Sequence, residues 1–486
     1  MRSERRPLTS DGIDAGLIQV AIEDHRRDVL PRLERWWRYY RNPVEVGADR
    51  AGPSLTQAQE EGLPERLVRG SNGGTHGEIV IENDIGWRVH TMVDFMFGKP
   101  VPILSTAQDA DLRGEIERAL DRMWENSGGI ALLQDAALLA HVYGHVDLVL
   151  RVDAGRMTRA GHSSQRALLA ADAMRVEIVE PTRGVPVLSE RDYRTLDAYI
   201  VQYTQELNAT EQAGLLERLN PLRRDDGPRR LRREVVEVLT PWRRVVREDG
   251  KKTLDESLAW SGGQVPVAHI QNIAQPFRYE GLGEVEPLAP LQDELNTRLC
   301  DRASRVTMQS FRMYLAKGID GFEKTPVGPG QVWSTENTQA SVEAFGGDAS
   351  CPSEERHIDE LREAFDKVSG VPPLASGVVR AKIGNLSSAN ALRITLMGLL
   401  SKNARKRVTY GRGIARICDL ALGAMDHFGV LDIPPGERGV KLAWPDPLPT
   451  DLREQVLAAQ AKSNLGVSSE RVLAELGYAP NDPGVI

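Results

Sequence analysis

No apolar stretch in the 486 residues approaches the roughly 18–20 needed to cross a bilayer as a helix, so the sequence predicts no helical membrane span. The opening Met1-Arg2-Ser3-Glu4-Arg5-Arg6 lacks the apolar core of a secretory signal, and the expectation is a chain that stays in the cytoplasm where it is made. Cysteine is scarce: Cys300, Cys351 and Cys418 stand far apart without a CxxC pair. They read as free thiols in a reducing compartment, neither a disulfide framework nor a zinc site. No internal repeat runs along the chain.

Enzyme signatures are missing as well. A P-loop needs GxxxxGK followed by Ser or Thr, so that backbone amides cradle phosphate; Gly98-Lys99-Pro100 lacks both the upstream glycine and the hydroxyl. His141 and His145 are four apart, as zinc ligands on a helix would be. A zinc-protease helix, however, needs Glu where Val142 stands, and Gly144 signals that the helix is ending. Asp293, Glu294 and Asp301 share a predicted helix with no nearby His or glycine-rich phosphate loop, and they read as a solvated or lumen-facing side. The expectation is therefore no catalytic residue, no metal ligand, no cofactor and no enzyme.

What is present is ordinary for a globular protein, with 41% hydrophobic and 27% charged residues and length enough for two or three cores. Its net charge is −8. Against that acidic background the run Lys367–Cys418 holds no Asp or Glu and ten cations: Lys367, Arg380, Lys382, Arg393, Lys402, Arg405, Lys406, Arg407, Arg412 and Arg416. Val371-Pro372-Pro373 stops any preceding helix, Ser376-Gly377 and Gly384-Asn385 mark a loop, and Ser387 or Ser388 can cap a helix beginning after them. From Ala389, the apolar Leu392, Leu396, Leu399, Leu400, Ile414, Ile417 and Cys418 recur at helical spacing, with Arg405, Arg412 and Arg416 on the opposite face. Gly411 and Gly413 each cost a helix about 1 kcal/mol relative to alanine, which makes that region the expected place for a kink or a break.

Elsewhere the pattern predicts helices over 11–40, 84–97, 109–125, 130–143, 285–308, 353–368, 451–463 and 468–476. Strands are expected over 147–152, 175–179, 198–204, 234–239 and 243–248, with short strands and turns over 311–345. Residues 42–77 read as a loop, and Arg156–Arg166 and Asn220–Arg233 as basic polar insertions.

Several segments in this order resemble the portal proteins of tailed bacteriophages. They are Arg38-Tyr39-Tyr40-Arg41-Asn42-Pro43, Asn83-Asp84 with Val93-Asp94-Phe95-Met96-Phe97-Gly98-Lys99-Pro100-Val101, and Val142-Tyr143-Gly144-His145 with Asp147–Asp153. Gly263-Gln264-Val265-Pro266-Val267 and Pro287–Asn296 come next. After them stand Ser369-Gly370-Val371-Pro372-Pro373-Leu374, Gly384–Leu392, Pro447–Leu452 and Leu465–Leu473. Each match is short; what is specific is their collinearity over residues 36–478.

The resemblance implies a mixed α+β portal fold: a β-containing wing or body at 1–283, stem helices at 284–308 and 353–370, and a small α/β clip at 309–352. A tunnel loop at 371–388 would precede a long kinked wing helix at 389–428 and a helical C-terminal crown at 429–486. It further implies a ring of about twelve copies at one capsid vertex of the virion, conducting double-stranded DNA in packaging and ejection. Terminase large subunit and a head–tail connector or adaptor would bind the ring, and major capsid or scaffolding protein would contact it; no membrane is involved. Arg380, Lys382, Asn385, Ser387 and Ser388 would face the DNA from the tunnel loop. Lys402, Arg405, Lys406, Arg412 and Arg416 would meet either a neighbouring subunit or the channel, the subunit contact being favoured because the chain is rich in acids. The competing readings are a DNA-binding structural or regulatory protein that uses the basic helix as its recognition surface, and a minor capsid protein without a channel.

Overall fold

A computed structural model describes residues 15–42, 45–46, 53–54, 57–68, 78–161, 165–208, 230–310, 313–318, 336–345, 351–376, 389–448 and 452–466. The chain mixes helix and sheet and divides into two compact units, Met1–Leu33 with Val89–Gly283 and Val371–Ile486, and Glu34–Arg88 with Glu284–Gly370. Among the described residues no helix is long and apolar enough to cross a membrane.

The first unit is built on two antiparallel sheets. One has three strands in the order Val267–Gln271, His145–Val152, Met174–Val179; the other has five, in the order Lys251–Ser257, Arg243–Glu248, Arg230–Leu239, Leu196–Asn208, Gly184–Leu188. Seven of the eight residues of His145–Val152 are buried, polar His145 and Asp147 among them, so both faces of this strand are covered instead of one. Helices Ala110–Asn126, Gly129–Tyr143 and Met397–His427 share its core, where Met123, Ala140, Leu148, Leu150, Ile414 and Ile417 lose essentially all contact with water. Each fully buried large aliphatic side chain contributes about 1.5–3 kcal/mol.

Local chemistry sets the element ends. Asp109 caps Ala110–Asn126 by accepting from the Leu112 amide at 2.8 Å. Gly144 ends Gly129–Tyr143 at φ 97°, and a Cβ there would sit 2.4 Å from the Gly281 carbonyl oxygen, so only glycine makes this turn. His145 consequently begins a strand and does not share a helical face with His141. No cluster of three potential metal ligands occurs among the described residues.

Several local expectations are corrected. The insertion expected at Arg156–Arg166 instead holds the helices Ala154–Ala160 and Arg166–Ala171, with Met157 and Ala160 buried. Strands Gly184–Leu188, Lys251–Ser257 and Val267–Gln271 had no clear alternation to announce them. The predicted kink is misplaced: the helix breaks at Leu396, between Ala389–Thr395 and Met397–His427, and runs unbroken through Gly411 and Gly413. At Gly413 a Cβ would fall 2.3 Å from Cγ1 of the buried Ile270, so this glycine serves close packing and not bending.

The second unit centres on Val285–Ser310 and Pro352–Ser369, which pack together and flank the antiparallel strand pair Met313–Lys317 and Ser341–Phe345. Residues 34–88, assigned from sequence to one body with the rest of 1–283, pack into this unit. The reason is a polar seam. Buried Gln292 accepts from the Asp84 amide and donates to the Glu82 carbonyl, while Asn296 accepts from the Glu82 amide, so side chains satisfy the backbone of a segment that has no ladder of its own.

The carboxylates expected to be solvated are also paired here. Asp293 accepts from the Tyr39 hydroxyl at 2.8 Å, Asp301 is held by Arg66, and Glu294 by Arg298 and His357. Burial, countered in part by Tyr39 and Arg35, pushes the Asp293 carboxyl above its ordinary value. Much of the segment between the two strands, 319–335, lies outside the described residues, as does the helix expected at 468–476.

Candidate functional site

The long helix Met397–His427 divides its surface sharply. At about 100° per residue, Met397, Ser401, Arg405, Val408 and Arg412 fall within roughly 80° of arc and all are exposed. Leu399, Asn403, Lys406, Tyr410, Ile414 and Ile417 point the other way and are buried. The buried side packs on strands His145–Val152 and Val267–Gln271.

The five helix residues singled out from sequence therefore separate. Arg405 and Arg412 are exposed, and Lys402 is half-buried. Arg416 is half-buried and paired at 3.1 Å with Asp419 on its own helix. Lys406 does not belong to the cationic stripe: it is 2% exposed, with Nζ 3.2 Å from the Met92 sulfur. Its aliphatic stem fills space between helices, which charge counting cannot reveal. Arg407 also turns inward, stacking on Trp444 and donating to the Pro445 carbonyl, and burial lowers its pKa. The loop residues Arg380, Lys382, Asn385, Ser387 and Ser388 lie outside the described residues.

Arg412 and Arg416 line a groove of about 1010 Å³ that the sequence did not announce. Arg194, Arg278, Tyr193 and Phe277 line it as well, and among the described residues no Asp or Glu does. Phe277 is 85% exposed, its ring 6.0 Å from that of Tyr193, and its backbone is left-handed at φ 61°. A bulky residue in that region of backbone space is rare, and such positions gather at functional surfaces.

His269 forms part of the groove floor and ties it to a buried polar network. Its Nδ1 lies 2.7 Å from Asp147 and its Nε2 2.6 Å from the Tyr279 carbonyl, while the Tyr199 and Tyr279 hydroxyls donate to the same Asp147 carboxylate. Both ring nitrogens of His269 thus lie against oxygen acceptors. The network holds the strands behind the groove in register. The cations and exposed aromatics of the groove suit it to binding an anionic, partly apolar surface.

No curated protein matches this chain. Among solved structures it resembles a chain in the "virion of native gene transfer agent particle", at 13% identity and a TM-score of 0.44, covering 82% of this chain and 90% of that one. It also resembles a chain in the "neck of empty GTA particle computed with C6 symmetry", at 16% identity and 0.46, covering 82% and 91%. A chain in the "neck of native GTA particle computed with C12 symmetry" is similar at 14% and 0.42, covering 86% and 95%. The family model "Phage portal protein, SPP1 Gp6-like" matches residues 21–478, nearly the whole chain, and the protein belongs to that phage portal family.

Proposed function

We propose that the chain assembles as a closed ring of about twelve copies at one capsid vertex and conducts double-stranded DNA during packaging and ejection. The observation that carries this reading is the match to the portal family over residues 21–478. Charge supports it: a conduit that neutralised many phosphates would hold DNA tightly and in a salt-dependent way. A net charge of −8 with cations restricted to a few places suits sliding contact.

In this reading Val285–Ser310 and Pro352–Ser369 form the stem, and the strand pair between them belongs to the clip, where terminase large subunit and a connector or adaptor dock. The outer body meets major capsid or scaffolding protein. Arg380 and Lys382 touch phosphates transiently from the tunnel loop, assisted by Asn385, Ser387 and Ser388. The chain is structural, and its motor partner hydrolyses ATP.

Negative-stain images of the purified protein test the reading directly. Rings with a central hole are expected; a monomer that binds duplex tightly with a steep salt slope would replace it with a DNA-binding regulator. Deleting Phe311–Phe345 with a short linker should leave rings intact and abolish motor-dependent packaging, and normal packaging by the deleted ring would remove the docking role.

A further inference from the structure

Strand Val267–Gln271 lies at the edge of its sheet; among the described residues its one ladder neighbour is His145–Val152. The Leu150 amide donates to the Pro266 carbonyl at 3.0 Å and the Asn272 amide to the Gly144 carbonyl at 2.8 Å, which fixes the phase of that ladder. Ala268 and Ile270 therefore direct their backbone groups at the neighbour, and His269 and Gln271 direct theirs away from it. Among the described residues none bonds these outward amides and carbonyls. Such an edge is a template for one more strand.

The groove lies along this edge, since Val267, Ala268, His269 and Gln271 all line it. Arg194, Arg278 and Arg412 line it too; they are exposed, and among the described residues none of them is ion-paired. That is unlike the five-stranded sheet, where Arg233, Arg243 and Arg244 each hold a carboxylate at 2.6 or 2.7 Å. Apolar surface borders the same groove. Besides Phe277 there is the half-exposed Trp242, whose ring covers Gly263 so closely that a Cβ there would fall 2.8 Å from it.

We infer that this groove takes an extended acidic segment of a partner protein, added as a strand to the open edge of Val267–Gln271, with its carboxylates on Arg194, Arg278 and Arg412. The inference goes beyond the conduit reading and does not depend on it. Main-chain bonds to His269 and Gln271 supply affinity without regard to sequence, and the arginines and aromatics select what is bound. Guanidinium pairs well with carboxylate because two parallel N–H donors match its two oxygens. Phe277 and Trp242 offer apolar contact to side chains interspersed with the acids. Duplex DNA fits less well: its phosphates would meet the arginines, but it has nothing to pair with an open strand edge.

The test is fluorescence anisotropy with the full-length protein and a short labelled synthetic peptide that alternates glutamate with valine. Saturable binding is expected, with at least a tenfold loss when alternate peptide amides are N-methylated and when lysine replaces glutamate. Arg194→Gln with Arg278→Gln should also weaken binding at least tenfold, and Phe277→Ser about threefold or more. All three positions are exposed, so circular dichroism should match the parent. No saturable binding by the glutamate–valine peptide would overturn the inference and leave the arginines as guards of an open strand edge. Undiminished binding of the N-methylated peptide would overturn strand addition. Tighter binding of oligothymidine or a short duplex, lost in the same arginine variant, would assign the groove to nucleic acid instead. Sedimentation of the same preparation scores ring formation separately, so either reading can fail while the other stands.

Discussion

The Nδ1 of His269 donates to Oδ1 of Asp147 across 2.7 Å, inside a strand pair where Asp147 is 1% exposed. Burial by itself would push this carboxyl up. The charge and hydrogen bond of His269, with His145 and Tyr199, outweigh burial and hold it below its ordinary value. His145, beside them, is shifted the other way. Burial lowers its pKa from 6.5 to about 4; Asp147 and Glu280 oppose the shift, and His269 and Arg32 add to it.

Stability should therefore fall with acid in two separate windows. An unfolded His145 takes up a proton below about pH 6.5 while the folded one resists until about 4, so the unfolded state gains protons first and stability is lost between those values. At pH 4.5 this amounts to roughly 2–3 kcal/mol. The Asp147 contribution persists through that range and is lost only below its unfolded value of 3.8, as pH falls through the depressed folded value. Urea midpoints at pH 7 and 4.5 check this. His145→Phe should flatten the difference, and an unchanged difference would remove His145 as its source.

Gly411 and Gly413 should behave oppositely when changed to alanine. A Cβ on Gly411 would meet only the Trp444 ring at 3.8 Å, so Gly411→Ala should stabilise by about 0.5–1 kcal/mol through helix propensity. A Cβ on Gly413 would drive into Ile270, and Gly413→Ala should cost about 1–3 kcal/mol. Thermal melts of the two variants decide it; equal effects would mean that the helix relaxes around both.

That pair also marks where sequence reading stops. The helix was legible because Leu396, Leu399, Ile414, Ile417 and Cys418 repeat at its period, and the same held for residues 84–97, 110–126 and 129–143. The sense of Gly413 was not legible, since it depends on Ile270, which lies 143 positions earlier. Lys406 was grouped with the cations that would meet a neighbouring subunit or the channel for a related reason: its charge is visible in sequence, but its burial against Met92 is not. The groove combines Arg194, Arg278 and Arg412 from three distant segments, so no local pattern contains it. Phe277 did leave a signal, an aromatic directly after proline in a polar stretch, but only the left-handed backbone gave that signal meaning.

Within the second unit, Arg88 is 2% exposed, 2.7 Å from Asp366 and 3.3 Å from Asp84, with its guanidinium over the Trp87 and Phe365 rings. Arg88→Ala should cost about 3–5 kcal/mol, because it strands a partly buried carboxylate and removes the stacking. Arg88→Lys should recover less than half of that loss, since an ammonium cannot hold both carboxylates and lie flat on two rings. Denaturant titration tests both, and full rescue by lysine would reduce the site to simple charge pairing.

Replacing Arg380 and Lys382 by Glu should leave ring assembly unchanged while impairing packaging or retention of DNA, if these loop cations touch phosphate in transit. Particle yield and packaged DNA length are the measurements. Normal amounts of full-length DNA would show that the loop has no such role.

Changing Arg405, Arg412 and Arg416 together to Gln separates charge from packing on the long helix. Arg405 and Arg412 are exposed, and Arg416 already shares its charge with Asp419, so any ion pair these arginines make across subunits contributes no more than about 0–1 kcal/mol. Repetition around a closed ring multiplies that small quantity into a measurable change in assembly. Salt at 1 M shortens the screening distance to about 3 Å, which already removes most of the electrostatic part from the parent. The triple variant should consequently lose far more ring stability than the parent at low salt, and little more than the parent at high salt. Equal loss at both would mean that the arginines act through their stems in packing. Rings that form normally but fail only in packaging would place these arginines in the DNA channel.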